Sequence, residues 1–401
     1  PEEHGVSGPT IFISAGEPSG DLHAANLIAA MRRQQPGAVF FGLGGPKMAA
    51  AGCELLRDMT VHGSHMLFIE PLLEIGSYLK LIAEVDKQIQ SRRPDLAIFV
   101  DYPGLNFVLA SRARVACVPT FWYIPPQLWA WASFRVKKMS RRLTRVACVF
   151  PFEVDFYRRA GIDARFVGHP LMDHFAGLKF DEAAVQAGRA RPGEKVVLLL
   201  PGSRRKEIEG LLPLYLNVCR LIRSRVPNTR FVMGCLNAAH AAMAEGVARL
   251  QGGVEIETFI GKTNELMSVA DMALAASGTA TLELAYFGTP MIALYPVSRW
   301  QYTLLGRPLL KTPYLSLPNA VAGRCIVPEY YFYWGGPEPI VDDAVALLTD
   351  EARAATMRAE LAEVRRSLGE AGASKRAAAA ALELIGREIP PTPWYRWGLY
   401  V

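Results

Sequence analysis

The sequence predicts an α/β fold made of two Rossmann-like, doubly wound domains facing a cleft. Three observations carry this. Short all-apolar segments alternate with helix-like segments along residues 10–172, and the same alternation restarts over residues 195–295. Several of the apolar segments also run directly into small-residue or charged turns. Strands that are apolar on both faces and separated by helices belong to a parallel sheet covered on both sides. In such sheets ligands bind beyond the carboxyl ends of the strands.

In the first half, strands are predicted at Ile11–Ser14, Val39–Leu43, Leu96–Val100, Thr120–Ile124, Arg145–Phe150 and Arg165–Val167. Helical spacing covers Asp21–Arg33, Leu72–Gln90, Phe107–Val115, Ser133–Arg142 and Phe152–Ala160. The second half places strands at Val196–Leu200, Arg230–Met233, Val254–Thr258, Met272–Ala275 and Pro290–Leu294. Gly168-His169-Pro170 and then Arg189-Ala-Arg-Pro-Gly193 read as a hinge region, and His169 as a structural residue in it. From Asp342 to Arg387 the chain is rich in Ala, Glu and Arg at helical spacing, and an aromatic tail follows at Pro393–Trp397. The expected division is a first domain over 1–172, a second with a helical end over 173–385, and a tail over 386–401.

Composition narrows the function classes. The 401 residues suit two or three domains. Although 51% of residues are hydrophobic and only 20% charged, no run approaches the ~18–20 apolar residues of a membrane span. No basic, apolar, small-residue sequence marks export near residue 1. The six cysteines are dispersed without a C-x-x-C pair, which predicts buried thiols in a reducing compartment. A net charge of +6 favours an anionic partner, whether nucleotide, phospholipid surface or nucleic acid.

The chemistry concentrates in a few turns. Ser277-Gly278-Thr279 links an apolar strand to a helix, so its free N–H groups and the helix dipole suit a diphosphate. Glu283, one turn on, is placed to accept hydrogen bonds from vicinal sugar hydroxyls; an ordinary capped helix is the structural alternative. At the end of the first strand, Glu17, Ser19 and Asp21 are expected on the cleft rim, or else Ser19 or Asp21 caps a helix. Asp101 follows the apolar run Leu96–Val100, where a carboxylate is costly unless bonded or facing a cleft. Facing the cleft, it is a natural general base for a hydroxyl, with Asn106 as the cap of the next helix. Arg204 and Arg205, after Pro201-Gly-Ser, suit a two-pronged grip on a diphosphate.

Other patterns fail. Gly261-Lys262-Thr263 lacks the first glycine of a P-loop, and Gly42-Leu-Gly44-Gly45 has Lys47 where a dinucleotide fingerprint needs glycine. No Asp-x-Asp pair or Gly-x-Ser-x-Gly offers itself. The cations Arg135, Lys137, Lys138, Arg141, Arg142 and Arg145, together with the apolar stretch Met66–Leu73, read either as a solvated helix beside a core helix or as a peripheral membrane footprint.

Taken in order, several blocks carry a family resemblance. They are Ser14-Ala-Gly-Glu-Pro-Ser-Gly-Asp21, Gly44-Gly-Pro-Lys-Met48, Val100-Asp-Tyr-Pro-Gly-Leu-Asn106 and Pro125-Pro-Gln-Leu-Trp-Ala-Trp131. Gly168-His-Pro170, Leu200-Pro-Gly-Ser-Arg204, Ala276-Ser-Gly-Thr-Ala280 and Ser316-Leu-Pro-Asn-Ala-Val-Ala-Gly-Arg324 continue the set. Over about residues 10–385 the chain resembles the lipid A disaccharide synthase family. The resemblance implies a GT-B type, metal-independent, inverting glycosyltransferase without a cofactor. Its donor would be UDP-2,3-diacylglucosamine and its acceptor 2,3-diacylglucosamine 1-phosphate (lipid X), giving a β-1,6 disaccharide and UDP.

By the same resemblance, Asp101 is the base on the acceptor 6-hydroxyl, and Arg204 with Ser277, Gly278 and Thr279 meets the diphosphate. Glu283 holds the ribose, and Asn319 and Arg324 complete the nucleotide side. Glu17, Ser19, Asp21, Asn106 and Gln127 fall on the acceptor side. The resemblance also implies a cytoplasmic location, peripheral to the inner face of the cytoplasmic membrane, a homodimer with exchanged carboxyl-terminal segments, and no nucleic-acid partner. Leu67, Gly104, Ala132 and Phe332 depart from the family pattern, at positions where Gly, a second acid, Arg and Gln are usual. The other readings are a UDP-sugar enzyme of the same architecture (a transferase with another acceptor, or a UDP-N-acetylglucosamine 2-epimerase) and a catalytically silent membrane-associated binding protein.

Overall fold

The computed structural model describes residues 8–60, 71–131, 133–276, 278–295, 312–331 and 336–390. The chain divides into two units, residues 1–176 with 368–401, and residues 177–367.

The first unit begins β1 (Thr10–Ala15), α1 (Pro18–Gln34), β2 (Val39–Gly44), α2 (Pro46–Ala50), β3 (Cys53–Asp58), α3 (Pro71–Arg92), β4 (Leu96–Val100) and α4 (Pro103–Val115). It continues with β5 (Thr120–Tyr123), α5 (Val136–Ser140), β6 (Arg145–Cys148), α6 (Pro151–Arg159), β7 (Asp163–Phe166) and α7 (Pro170–Ala176). The strands form one sheet in the order β3-β2-β1-β4-β5-β6-β7, and every pairing is parallel. The order reverses between β1 and β4, where two successive connections leave in opposite directions and open a crevice. All five residues of β4 are buried, as a central strand covered on both faces requires. On one face Phe12, Phe41, Phe99 and Trp122 pack edge to face or tilted, with ring centroids 5.5–6.2 Å apart.

The second unit runs α8 (Glu182–Gly188), β8 (Lys195–Leu200), α9 (Arg205–Arg225), β9 (Thr229–Cys235), α10 (Ala238–Gln251), β10 (Glu257–Ile260), α11 (Thr263–Val269) and β11 (Met272–Ala276). Then come α12 (Thr279–Phe287), β12 (Met291–Tyr295), α13 (Leu317–Ala322), β13 (Glu329–Tyr331), α14 (Glu338–Thr349) and α15 (Glu351–Ser367). Its sheet order is β10-β9-β8-β11-β12-β13, again parallel, with the reversal between β8 and β11.

Three departures from the sequence reading stand out. Edge strand β3 was not predicted, because Cys-Glu-Leu-Leu-Arg-Asp is half exposed and reads as polar. The basic stretch predicted as one helix is broken into a 3₁₀ turn, Ser133–Arg135, and the short α5. The helical end also does not all belong to the second domain. The helix α16 (Ala373–Leu382) packs on α1 in the first unit, so the boundaries lie at 176/177 and 367/368 rather than 172/173 and 385/386. Buried Ala373, Ala377, Ala378, Ala380 and Ala381 allow the close approach. Arg145 on β6, almost wholly buried, donates to Asp163 Oδ2 at 2.7 Å, to the Ala380 carbonyl at 2.6 Å and to Glu383 Oε2 at 3.0 Å. Asp173 on α7 accepts the N–H groups of Gly372, Ala373 and Ser374 and so caps α16.

Cys53, Cys148, Cys219 and Cys235 are buried, whereas Cys117 and Cys325 are exposed, so the expectation of buried thiols holds for four of the six.

Candidate active site

Each unit gathers polar groups where its strand order reverses. In the first unit the centre is Asp101, the residue after β4. Asp101 and Tyr102 both adopt left-handed backbone, with φ of 48° and 45°. Such a conformation costs about 1–3 kcal/mol for each non-glycine residue and persists only when the surroundings impose it. The Asp101 carboxyl is pushed up to about 6, first by burial and also by the neighbouring charge of Glu17, against the pull of the Tyr102 N–H. A carboxyl with that value is mostly ionised at neutral pH and is still a competent base.

The helix α4 starts at Pro103, whose ring presets the first helical residue, so Tyr102 is the N-cap and not Asn106 as expected. Asn106 lies one turn inside, fully buried. Its carboxamide donates to the Asp101 carbonyl at 2.9 Å and accepts from Ser14 Oγ at 2.7 Å. Asn106 therefore grips the backbone around Asp101 and is itself fully buried. Among the described residues, nothing outside its own helix and chain neighbours lies within 4 Å of where a Cβ on Gly104 would stand, so a side chain there would meet open space.

The other residues expected on the acceptor side separate. Glu17, partly exposed, is the N-cap of α1 without a side-chain cap bond, and Ser19 is exposed beside it. Asp21 is buried; it accepts from Gly45 N at 2.9 Å, Lys47 N at 3.0 Å and Met48 N at 3.0 Å. It thereby closes the start of α2 and neither rims a crevice nor caps its own helix. Gln127 is exposed, in a turn where Trp129 Nε1 donates to Glu153 Oε1 at 3.1 Å. Buried Glu153 also accepts from the Val149 and Phe150 N–H groups, and burial pushes its carboxyl up to about 7. This anchor went unread in the sequence, although an acid three residues into α6 was its signal.

In the second unit, β8 and β11 are hydrogen-bonded neighbours, so the turns after them lie side by side. After β8, Glu207 accepts from Ser203 N at 3.0 Å and Arg204 N at 3.2 Å, closing the Pro-Gly-Ser-Arg turn over the start of α9. Sequence reading missed Glu207, though a glutamate three residues past the cap is the usual sign. The Arg204 guanidinium is 73% exposed and bonds Glu207 Oε1 at 3.2 Å, while Arg205 turns to Glu209. After β11, Ser277 lies outside the described residues. Gly278 has φ of 142°, and α12 begins at Thr279 with no side-chain cap, which leaves N–H groups for an anion. Glu283, on the second turn of that helix, is partly buried, and burial raises its carboxyl above the ordinary range.

Asn319 and Arg324, expected on the nucleotide side, are engaged within the protein. Asn319 is fully buried; it accepts from Ile326 N at 2.7 Å and Val327 N at 2.8 Å, and donates to the Val327 carbonyl at 2.8 Å and Glu329 Oε1 at 2.5 Å. Arg324 pairs with Glu360 and Glu363. The stretch 66–70 (with Leu67), Ala132 and Phe332 lie outside the described residues, as do the side chains of residues 71–73. Among the described residues no group of three or more His, Cys, Asp or Glu side chains is arranged to hold a metal ion.

A family model described as Lipid-A-disaccharide synthetase matches residues 11–384. The chain belongs to that family. Relatives named lipid-A-disaccharide synthase from Geobacter metallireducens and Syntrophus aciditrophicus are 39% and 36% identical to it. The alignments cover 94% of this chain in both cases, and 98% and 97% of the relatives. A member of this family is a glycosyltransferase of lipid A biosynthesis, and so is this chain.

Solved structures share the fold at low identity. The UDP-N-acetylglucosamine 2-epimerase from Neisseria meningitidis, solved with UDP-GlcNAc, aligns with a TM-score of 0.61 at 14% identity, covering 93% of this chain and 99% of its own. The calicheamicin glycosyltransferase CalG4 aligns at 0.56 and 15%, covering 95% and 99%. These likenesses support a GT-B type fold for this chain, with its two parallel sheets and alternating helices.

Proposed function

We propose that this family member transfers 2,3-diacylglucosamine from its UDP derivative to the 6-hydroxyl of 2,3-diacylglucosamine 1-phosphate, releasing UDP. The reading rests most on Asp101, an ionisable carboxylate held in left-handed backbone at the switch point of the first sheet. In the reaction the acceptor oxygen attacks C1 of the donor sugar as its proton passes to Asp101. The bond from C1 to the diphosphate oxygen breaks, and its electron pair leaves with UDP. Charge growing on that oxygen is met by Arg204 and by the N–H groups at the start of α12, the kind of preset donors that stabilise such a transition state.

Glu283 accepts hydrogen bonds from the ribose diol. Glu283→Ala is expected to weaken UDP binding about tenfold or more, the worth of a bond to a charged group. Unchanged affinity by calorimetry would remove it from the nucleotide site. The decisive assay incubates the protein with the diacyl UDP-sugar and lipid X and looks for the disaccharide by mass spectrometry. Turnover of the UDP-sugar without lipid X would favour a 2-epimerase instead.

Both substrates carry acyl chains, which fits work at a lipid surface. No described helix is long and apolar enough to cross a membrane. Trp131 and Phe134 are 41% and 64% exposed, with the Arg135 guanidinium within 6.0 Å of both ring centroids. Lys137, Lys138 and Arg141 are exposed nearby, while Arg142 and Arg145 are buried and belong to the fold. No acid occurs between Asp101 and Glu153. Each cation near an anionic surface is worth about 1 kcal/mol. Co-sedimentation with phosphatidylglycerol vesicles should therefore weaken with salt and drop in Phe134→Ser/Lys137→Ser; binding indifferent to both would argue against this footprint. The proposed location is the inner face of the cytoplasmic membrane. A homodimer would exchange the segment after residue 367, and light scattering reports the mass.

A further inference from the structure

We propose that Ser14 and Asn106 are positioning residues for the base, and that Gly16 completes the seat in which they hold it. This rests on the reading of Asp101 as the group that takes the acceptor proton. Ser14 lies on β1 and Asp101 just beyond β4; the two strands are paired in parallel, with Ser14 opposite Phe99. The Asn106 carboxamide spans the reversal point between them. Its N–H groups reach the carbonyls of Asp101 at 2.9 Å, Val100 at 3.3 Å and Ser14 at 3.4 Å. Its oxygen accepts from Ser14 Oγ at 2.7 Å, which requires the amide to present nitrogen, not oxygen, to the three carbonyls.

Both side chains are buried, so neither touches substrate. Together they hold the one stretch of β4's exit where two successive non-glycine residues are left-handed. Reversing the sign of φ redirects Cβ. The clamp therefore decides where the Asp101 carboxylate points, a role unlike that of an ordinary helix cap.

Gly16 acts from the other side. A Cβ there would stand 2.2 Å from Tyr102 Cγ, so the Tyr102 ring occupies the room that only glycine leaves. The small-residue start of the first turn thus serves the base rather than the acceptor. Losing the clamp would let the turn relax and expose the carboxylate to water.

The test compares Ser14→Ala, Ser14→Thr, Asn106→Ala and Asp101→Asn in the full chain. The readouts are kcat, KM and the acid limb of the pH profile, with the diacyl UDP-sugar and lipid X as substrates. Asn106→Ala is expected to lower kcat about 10²-fold, the scale of a misplaced catalytic group, with donor KM little changed. Its acid limb should move to lower pH, because the freed carboxylate returns towards the ordinary range. Ser14→Ala should shift both readouts the same way by less, and Ser14→Thr, which keeps the hydroxyl, should restore them. A lower active fraction with an unmoved limb in Ser14→Ala and Asn106→Ala would overturn the proposal, as would wild-type kcat in both. Full turnover in Asp101→Asn would instead refute the base itself, so the two failures are distinguishable.

Discussion

Asp101→Asn is expected to lower kcat about 10²–10⁴-fold, the range for a lost acid–base group. Asparagine keeps the shape and still accepts the Tyr102 N–H, so the fold and the UDP affinity should survive. In the unsubstituted protein the rate should fall as pH drops through about 6, because only the ionised carboxylate can take the proton. The sign for stability is the opposite. Burial lifts the folded-state value above that of the unfolded chain, so the carboxyl favours folding when protonated, and that contribution is lost as pH rises through about 6. Above that pH the folded protein carries a desolvated charge, and Asp101→Asn should melt at a higher temperature than the parent. A variant that turns over like the parent would remove Asp101 from the chemistry. One that is inactive and also less stable would point to a structural role.

The other large effect is expected in stability. Asp21→Ala leaves three buried N–H groups, of Gly45, Lys47 and Met48, without their acceptor. One unsatisfied buried group costs about 1–3 kcal/mol, so a loss of about 3 kcal/mol or more is expected. For a unit of this size that lowers the melting midpoint by roughly 6–12 °C. Asp21→Asn should lie between, since one oxygen can still serve Gly45 and Met48 while the amide nitrogen faces the Lys47 N–H. Acceptor KM should stay near the parent's in the folded fraction of either variant. Unaltered melting with a weakened acceptor KM would return Asp21 to the substrate site, where the sequence pattern had put it.

These two acids show how far a motif can be read. Asp101 stands directly after an apolar strand and Asp21 six residues beyond one, each in a block that carries the family resemblance, and on residue type alone they look equally catalytic. Asp101 remains the proposed base because it follows β4 at the reversal point and its carboxylate meets a single named backbone donor, the Tyr102 N–H, where Asp21 meets three. Asp21 loses such a role because α2 brings three N–H groups to it from 24 to 27 residues away. Asn319 is the same case in the second unit. Its Ser-Leu-Pro-Asn block is specific enough to mark the family, yet the carboxamide is used up on the turn that leads into β13. Glu207 runs the other way, ordinary in sequence yet the residue that shapes the Arg204 turn.

The sequence by itself determined the doubly wound class, the strands that form both reversal points, and the family. These are written in local periodicity and short ordered blocks, and hydrophobic burial enforces them wherever the chain places them. Only the tertiary structure decided which polar side chains remain available for chemistry and where the last helix belongs. A polar group's role is set by the partner that reaches it, and for Asp21, Asn106 and Arg145 the deciding partners come from 24 to 238 residues away. Packing brings those segments together, and no local pattern records it.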